Sequence, residues 1–254
     1  MIKHYICTRD RVGNQITLYN LPDSVLGETT LVVPYGEAGH TFLNVIQTPP
    51  EIDTIGKTRQ WLLDQTFHGT NKIAIYDDDL SFNVRSGNGT KLRKLHNKDE
   101  LLLAFRTLEE WMDTIPLVAI STRQGNNTVE DDYVDNTRIL RNFFINLDMI
   151  DDERFDRCSP MEDYDFELQL LRNGKPNRVL YQFSQDQPQS CSKGGAFSYR
   201  TKESQQESAY RLAELHPGFV RVTEKETKAK WFGDGKRTDV VIYWKKAFKS
   251  YATR

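Results

Sequence analysis

The sequence predicts an α/β fold, a sheet flanked by helices, and three observations predict it. From Tyr5 to Leu80, short β-rich runs alternate with helix-periodic segments, the pattern of an α/β layer rather than of separate helical and sheet regions. The 254 residues, 38% hydrophobic and 11% aromatic, are enough to bury a sizeable core. No apolar run approaches the ~18 residues a membrane helix needs. Met1 to Cys7 passes into the charged Thr8-Arg9-Asp10-Arg11 without the apolar segment of a signal peptide, so a soluble, cytoplasmic protein is expected.

The elements follow in order. Tyr5 to Thr8 reads as a first strand ending in a polar turn, Arg9 to Asn14. Leu31 to Val33 and Leu43 to Ile46 are β-rich runs bounded by Gly or Pro. Between Asp53 and Phe67 the spacing of Ile55, Trp61 and Leu62 predicts a helix that Asp53 or Thr54 caps. Ile73-Ala74-Ile75-Tyr76 is a strand of the buried type, and Asp77-Asp78-Asp79 stands at its carboxyl end. Open α/β sheets bind ligands beyond the carboxyl ends of their strands, so this location points to function before any chemistry is considered.

A helix is predicted over Lys98 to Asp113, capped by Asn97, with Leu101, Phe105, Leu108 and Met112 on its core face. Pro116 to Ser121 and Arg138 to Leu147 read as strands around an acidic loop, Gly125 to Asp135. A further helix start is read at Ser159, with Pro160 first in the helix, Glu162 closing a capping box and Gly174 past the end. Thr201 to His216 is another helix, and Phe219 to Val222 and Val240 to Trp244 are two closing strands. Ser190 to Ser198 is a glycine- and serine-rich loop.

Three cysteines at wide spacing, Cys7, Cys158 and Cys191, indicate neither a disulfide framework nor a zinc knuckle, and the five histidines lack metal-ligand spacing. Net charge is −2, but Lys193 to Arg254 carries 14 Lys/Arg against 7 Asp/Glu. That asymmetry suits an anionic partner, a diphosphate or a nucleic-acid backbone, and equally a solvated basic face.

Three adjacent carboxylates favour a cation. At ~5 Å each like-charge pair costs roughly 0.8 kcal/mol in water and about 3 kcal/mol at an effective dielectric near 20. Alternation along an extended chain places Asp77 and Asp79 on one side and Asp78 on the other. Two hard oxygen ligands completed by phosphate and water suit Mn²⁺ or Mg²⁺; a solvated acidic turn is the other reading. Glu162 and Asp163 form a second carboxylate group able to take a proton from an acceptor hydroxyl. Because Glu162 has a capping role, Asp163 is the better catalytic candidate. Gly56-Lys57-Thr58 is not a phosphate-binding loop, since Glu51 occupies the position where that pattern needs glycine. Arg59 falls in a helix antiparallel to the Asp77 strand, either within reach of a diphosphate or as a surface arginine.

In this order the pieces resemble the GT-A glycosyltransferases: a first strand with a polar turn, Gly56-Lys57-Thr58-Arg59 in a helix, "IAIYDDDL" at Ile73 to Leu80, and "MEDYDFELQLLRNG" at Met161 to Gly174. A narrower similarity, in "CTRDR", "TRQWLL", "YDDDLSF", "GGAFSYRTKESQQESAYRLAELHPGFVRV" and "VVIYWKKAF", extends over nearly the whole chain. It is to the TET-associated glycosyltransferases of bacteriophages, which attach sugars to hydroxymethylated pyrimidines in DNA. The "CTRDR" opening departs from the serine-containing form of that family.

The resemblance implies a single GT-A-like domain over residues 1–254 with a Rossmann-like mixed sheet flanked by helices, its nucleotide-sugar half at 1–85 and its acceptor half, with the basic segment, at 86–254. It implies that Asp77 and Asp79 hold Mn²⁺ or Mg²⁺ against a nucleotide sugar, a UDP-sugar above all. Thr8, Arg9 and Arg11 then line the donor site, Arg59 reaches the diphosphate, Asp78 touches the ribose or sugar, and Asp163, beside Glu162, faces the acceptor. Lys193, Arg200 and Lys202 would close over the diphosphate, Lys228, Lys230, Lys236 and Arg237 would follow a DNA backbone, and Trp231 and Phe232 would stack on a displaced base. The compartment would be a host cytoplasm. Alternatives are a GT-A enzyme acting on a protein or small glycan, and a non-catalytic DNA-binding module that keeps the fold.

Overall fold

In the computed structural model, residues 1–42, 44–65, 69–87, 89–187, 201–227 and 235–253 are described. The chain folds as the α/β class expected, a ten-stranded mixed sheet with helices on both faces. Four parallel strands form one side: β1 (Lys3–Cys7), β2 (Thr29–Val33), β3 (Val45–Gln47) and β4 (Lys72–Asp77). The order continues through β9 (Asn142–Asn146), β7 (Leu117–Thr122), β10 (Asn177–Asp186), β5 (Ser81–Arg85) and β6 (Leu92–Lys94), with β8 (Tyr133–Asp135) on β10. β9 runs antiparallel to both β4 and β7.

Alternation along the strands feeds two cores. Ile6, Leu31, Ala74, Tyr76 and Phe144 point to one face, where Leu101, Phe105 and Leu108 of α3 (Leu101–Trp111) and Met112 just after it meet them. Tyr5, Val32, Ile73, Ile75 and Phe143 point to the other, covered by Leu62 of α2 (Ile55–Leu63) and by Phe166 and Leu170 of α4 (Glu162–Arg172). α2 begins at the expected cap, Thr54, which accepts from the Lys57 N–H at 3.3 Å. The turn before α3 has its capping box, with Asn97 accepting from the Asp99 N–H and Glu100 reaching back to the Asn97 N–H.

A third core joins the other face of α4 to α5 (Lys202–Leu215), a separate hairpin of β11 (Val220–Glu226) and β12 (Lys236–Ile242), and α6 (Trp244–Lys249). The two closing strands expected from the sequence are present and, among the described residues, pair with each other in a sheet of their own. The capping box expected at Ser159 does not form. α4 starts at Glu162 after Met161, whose φ is 85°, and no side chain caps it, because Glu162 turns inward.

Candidate active site

The aspartates stand where β4 ends. Asp77 is the last residue of the strand, in register with Cys7 of β1, and its N–H donates to the Arg141 carbonyl at 2.9 Å. Asp78 and Asp79 form the turn into β5. α1 (Ile16–Asn20) fixes that turn: the Thr17 hydroxyl donates to the Asp77 carbonyl at 2.5 Å and accepts from the Leu80 N–H at 2.8 Å, and the Thr17 N–H donates to the Asp78 carbonyl at 3.0 Å.

The strand stops at Asp77, so the extended alternation expected to run through Asp79 gives way to a turn. Asp79 is tied to both neighbours: one Arg11 nitrogen, Nη1, pairs with Asp78 Oδ1 and lies 3.0 Å from Asp79 Oδ2, while the charge of Asp77 also acts on Asp79. Asp78 is buried and accepts from the Thr8 hydroxyl at 2.6 Å, while Thr8 in turn accepts from Gln15 Nε2 at 2.9 Å. Burial pushes the Asp78 carboxyl up to about 7, against the pull of Thr8 and Arg11. Asp79 is raised too, by burial and then by the charge on Asp77, with Arg11 and Arg141 opposing.

Arg59 is buried, not a surface arginine. Its Nη2 lies 2.7 Å from Asp77 Oδ1 and its Nη1 2.8 Å from Glu162 Oε1, and its guanidinium stacks 4.6 Å from the Phe143 ring centroid. Desolvation alone would lower its pKa; Asp77 and Glu162 more than reverse that and hold it charged. Burial raises Glu162 above the ordinary carboxylate range, with Arg59 pulling against it. Gly56 makes the approach of α2 possible: a Cβ there would lie 2.8 Å from the Phe155 carbonyl oxygen and 3.1 Å from Glu162 Cβ. The glycine matters for close packing rather than for phosphate binding.

The next residue, Asp163, is half-buried in the first turn of α4, where its Oδ1 accepts from the Tyr164 N–H at 2.9 Å. Its charge acts on Arg59, Glu162, Tyr164 and Glu167. The Tyr164 ring meets Trp244 of α6 edge-on at 5.8 Å, so the third core reaches this turn.

Thr8, Arg11, Arg59, Asp77, Asp78, Asp79, Glu162 and Asp163 thus form one linked group. The charge of Arg9 reaches Asp53, at the entrance to α2, where Lys57 is the stronger partner. Lys193, Arg200, Lys228, Lys230, Trp231 and Phe232 lie outside the described residues. Lys236 pairs with Glu224 at 3.0 Å and Arg237 with Asp239 at 2.8 Å, so both have partners within the hairpin. Sequence reasoning missed Gln15, Thr17 and Arg141. Arg141 has a φ of 68°, an uncommon backbone for a long side chain, held by the Asp77 hydrogen bond.

Among the described residues no three His, Cys, Asp or Glu side chains are grouped to hold a metal on protein ligands alone. The donor set nevertheless fits a hard divalent ion that takes few carboxylates and completes its shell with phosphate and water. Asp79 Oδ1 is buried with no hydrogen-bond partner, and Asp77, the neighbour whose charge it feels, has one oxygen committed to Arg59.

A family model described as TET-Associated Glycosyltransferase matches residues 2–195. No curated protein matches the chain. Among solved structures, one described as the crystal structure of S. aureus TarS 1-349 aligns at 14% identity and a TM-score of 0.47, covering 84% of this chain and 64% of that one. This chain therefore spans under two thirds of that structure's length.

Proposed function

This chain belongs to the TET-associated glycosyltransferase family, and we propose that it transfers a sugar from a nucleotide-sugar donor, a UDP-sugar above all, to the hydroxymethyl group of a modified pyrimidine in DNA. The observation that carries the reading is the meeting of two carboxylate groups, Asp77 to Asp79 and Glu162-Asp163, across the buried Arg59 at the carboxyl end of β4.

Asp77 and Asp79 are the residues to hold Mn²⁺ or Mg²⁺, which when bound supplies charge neutralisation to a leaving diphosphate. Asp163 takes the proton of the acceptor hydroxyl; Glu162, locked onto Arg59, positions that turn instead. Thr8 and Asp78 are buried in each other's hydrogen bond, so they shape the donor side by holding Arg11. The hydroxymethyl group of such a base lies in the major groove, and the acceptor is reached with or without base flipping.

Incubation with hydroxymethylated DNA, Mn²⁺ and a panel of UDP-sugars tests the proposal. The expected result is a mass gain of one sugar on the modified nucleoside, abolished by chelation. No gain with any donor would refute it.

A further inference from the structure

Arg11 is tied to two of the three aspartates. Its Nη1 serves Asp78 Oδ1 and, at 3.0 Å, Asp79 Oδ2, and its side chain is only 10% exposed. The anchor is Asp78, which lies outside the metal pair and is itself held by Thr8 at 2.6 Å. The Arg11 carbonyl accepts from Gln15 Nε2 at 3.0 Å, which fixes the backbone. A guanidinium built in this way places its charge on one of the two carboxylates assigned to the ion.

We infer that Arg11 and a divalent ion compete for Asp79, so that Arg11 makes ion binding depend on the donor's diphosphate. The inference rests on the reading of Asp77 and Asp79 as the ion's ligands. A carboxylate already sharing its charge with a guanidinium is a weaker ligand, and two cations on one poorly screened carboxylate repel. The anionic oxygens of a nucleoside diphosphate relieve that repulsion by pairing with Arg11. Ion and diphosphate then strengthen each other's binding by the same factor, as linkage requires. The device discourages the site from taking a metal without the nucleotide that makes it useful.

The test titrates the full chain with Mn²⁺, following free Mn²⁺ by electron paramagnetic resonance, with and without UDP. Wild type is expected to bind Mn²⁺ at least tenfold more tightly with UDP than without. Arg11→Gln and Arg11→Met are expected to bind it at least tenfold more tightly than wild type in the absence of UDP, and to show little further gain from UDP. Arg11→Lys, which keeps the charge, should behave as wild type. Circular dichroism identifies which variants are folded, and either neutral variant suffices. Neutral variants that bind Mn²⁺ no better than wild type without UDP overturn the inference while leaving the ligand assignment standing, provided Asp79→Asn loses the ion. If Asp79→Asn binds Mn²⁺ as tightly as wild type, the assignment of Asp79 as a ligand and the inference fall together.

Discussion

Arg59 Nη1 lies 2.8 Å from Glu162 Oε1, so that one buried ion pair fastens the helix before the aspartate strand to the helix that carries the second acidic segment. Removing one member of such a pair leaves uncompensated buried charge. Arg59→Met is expected to lose about 3–5 kcal/mol of stability in urea unfolding. The double variant Arg59→Met/Glu162→Gln should recover part of that loss.

Gly56→Ala puts a methyl group 2.8 Å from a backbone oxygen, which cannot swing aside. A destabilisation of about 1–3 kcal/mol is expected. Because the displaced helix carries Arg59, the transfer rate should fall as well; an unchanged melting temperature would contradict the packing described.

The neighbours Glu162 and Asp163 should separate kinetically. Asp163→Asn is predicted to lower kcat roughly 10²–10⁴-fold with the melting temperature and donor affinity little changed. Glu162→Gln should instead show its main effect in the melt.

Asp78 gives a pH dependence of stability. Its folded pKa, about 7, lies above its unfolded value, so the folded state binds the extra proton between roughly pH 4 and pH 7. Its contribution therefore declines as pH rises through that window, by on the order of a few kcal/mol. Asp78→Asn should reduce the fall of urea-unfolding free energy between pH 4 and 8, leaving the share that Asp79 and Glu162, also raised by burial, contribute.

The opposite slope comes from Glu153. Burial raises its carboxyl, but bonds from Asn173, Lys175 and the Asp151 N–H outweigh burial and hold it below the ordinary range. Its stabilisation is present above the unfolded pKa and is lost as pH falls below about 4.5. Glu153→Gln should flatten the acid limb of the stability curve while costing about 1–3 kcal/mol at neutral pH.

Local sequence patterns suffice where neighbouring residues alone decide the structure. The Ile73 to Tyr76 run is the buried strand it resembles, and the stripe of α3 and the Asn97 capping box of the turn before it stand as expected. Glu162 shows the limit. Its spacing from Ser159 fits a capping box, but Arg59, distant in sequence, holds its carboxylate and the helix starts without a side-chain cap. No local pattern shows that Arg59 is buried, because its partners are Asp77 and Glu162 on two other elements. β10 escaped notice because its polar end, Ser184 and Gln185, is buried against neighbouring strands and loops rather than in solvent.

The helix α4 is covered on both sides, by the sheet through Phe166 and Leu170 and by the third core through Leu168 and Leu171. A rod clamped between two layers cannot turn about its axis without opening one of them, so the bearing of Asp163 is set by the chain as a whole. The family match ends at residue 195, and α5, the hairpin and α6 follow it. Those later elements are thus the outer jaw of a vice. Exchanging them for another layer would re-aim the carboxylate even if every residue around the aspartates were kept.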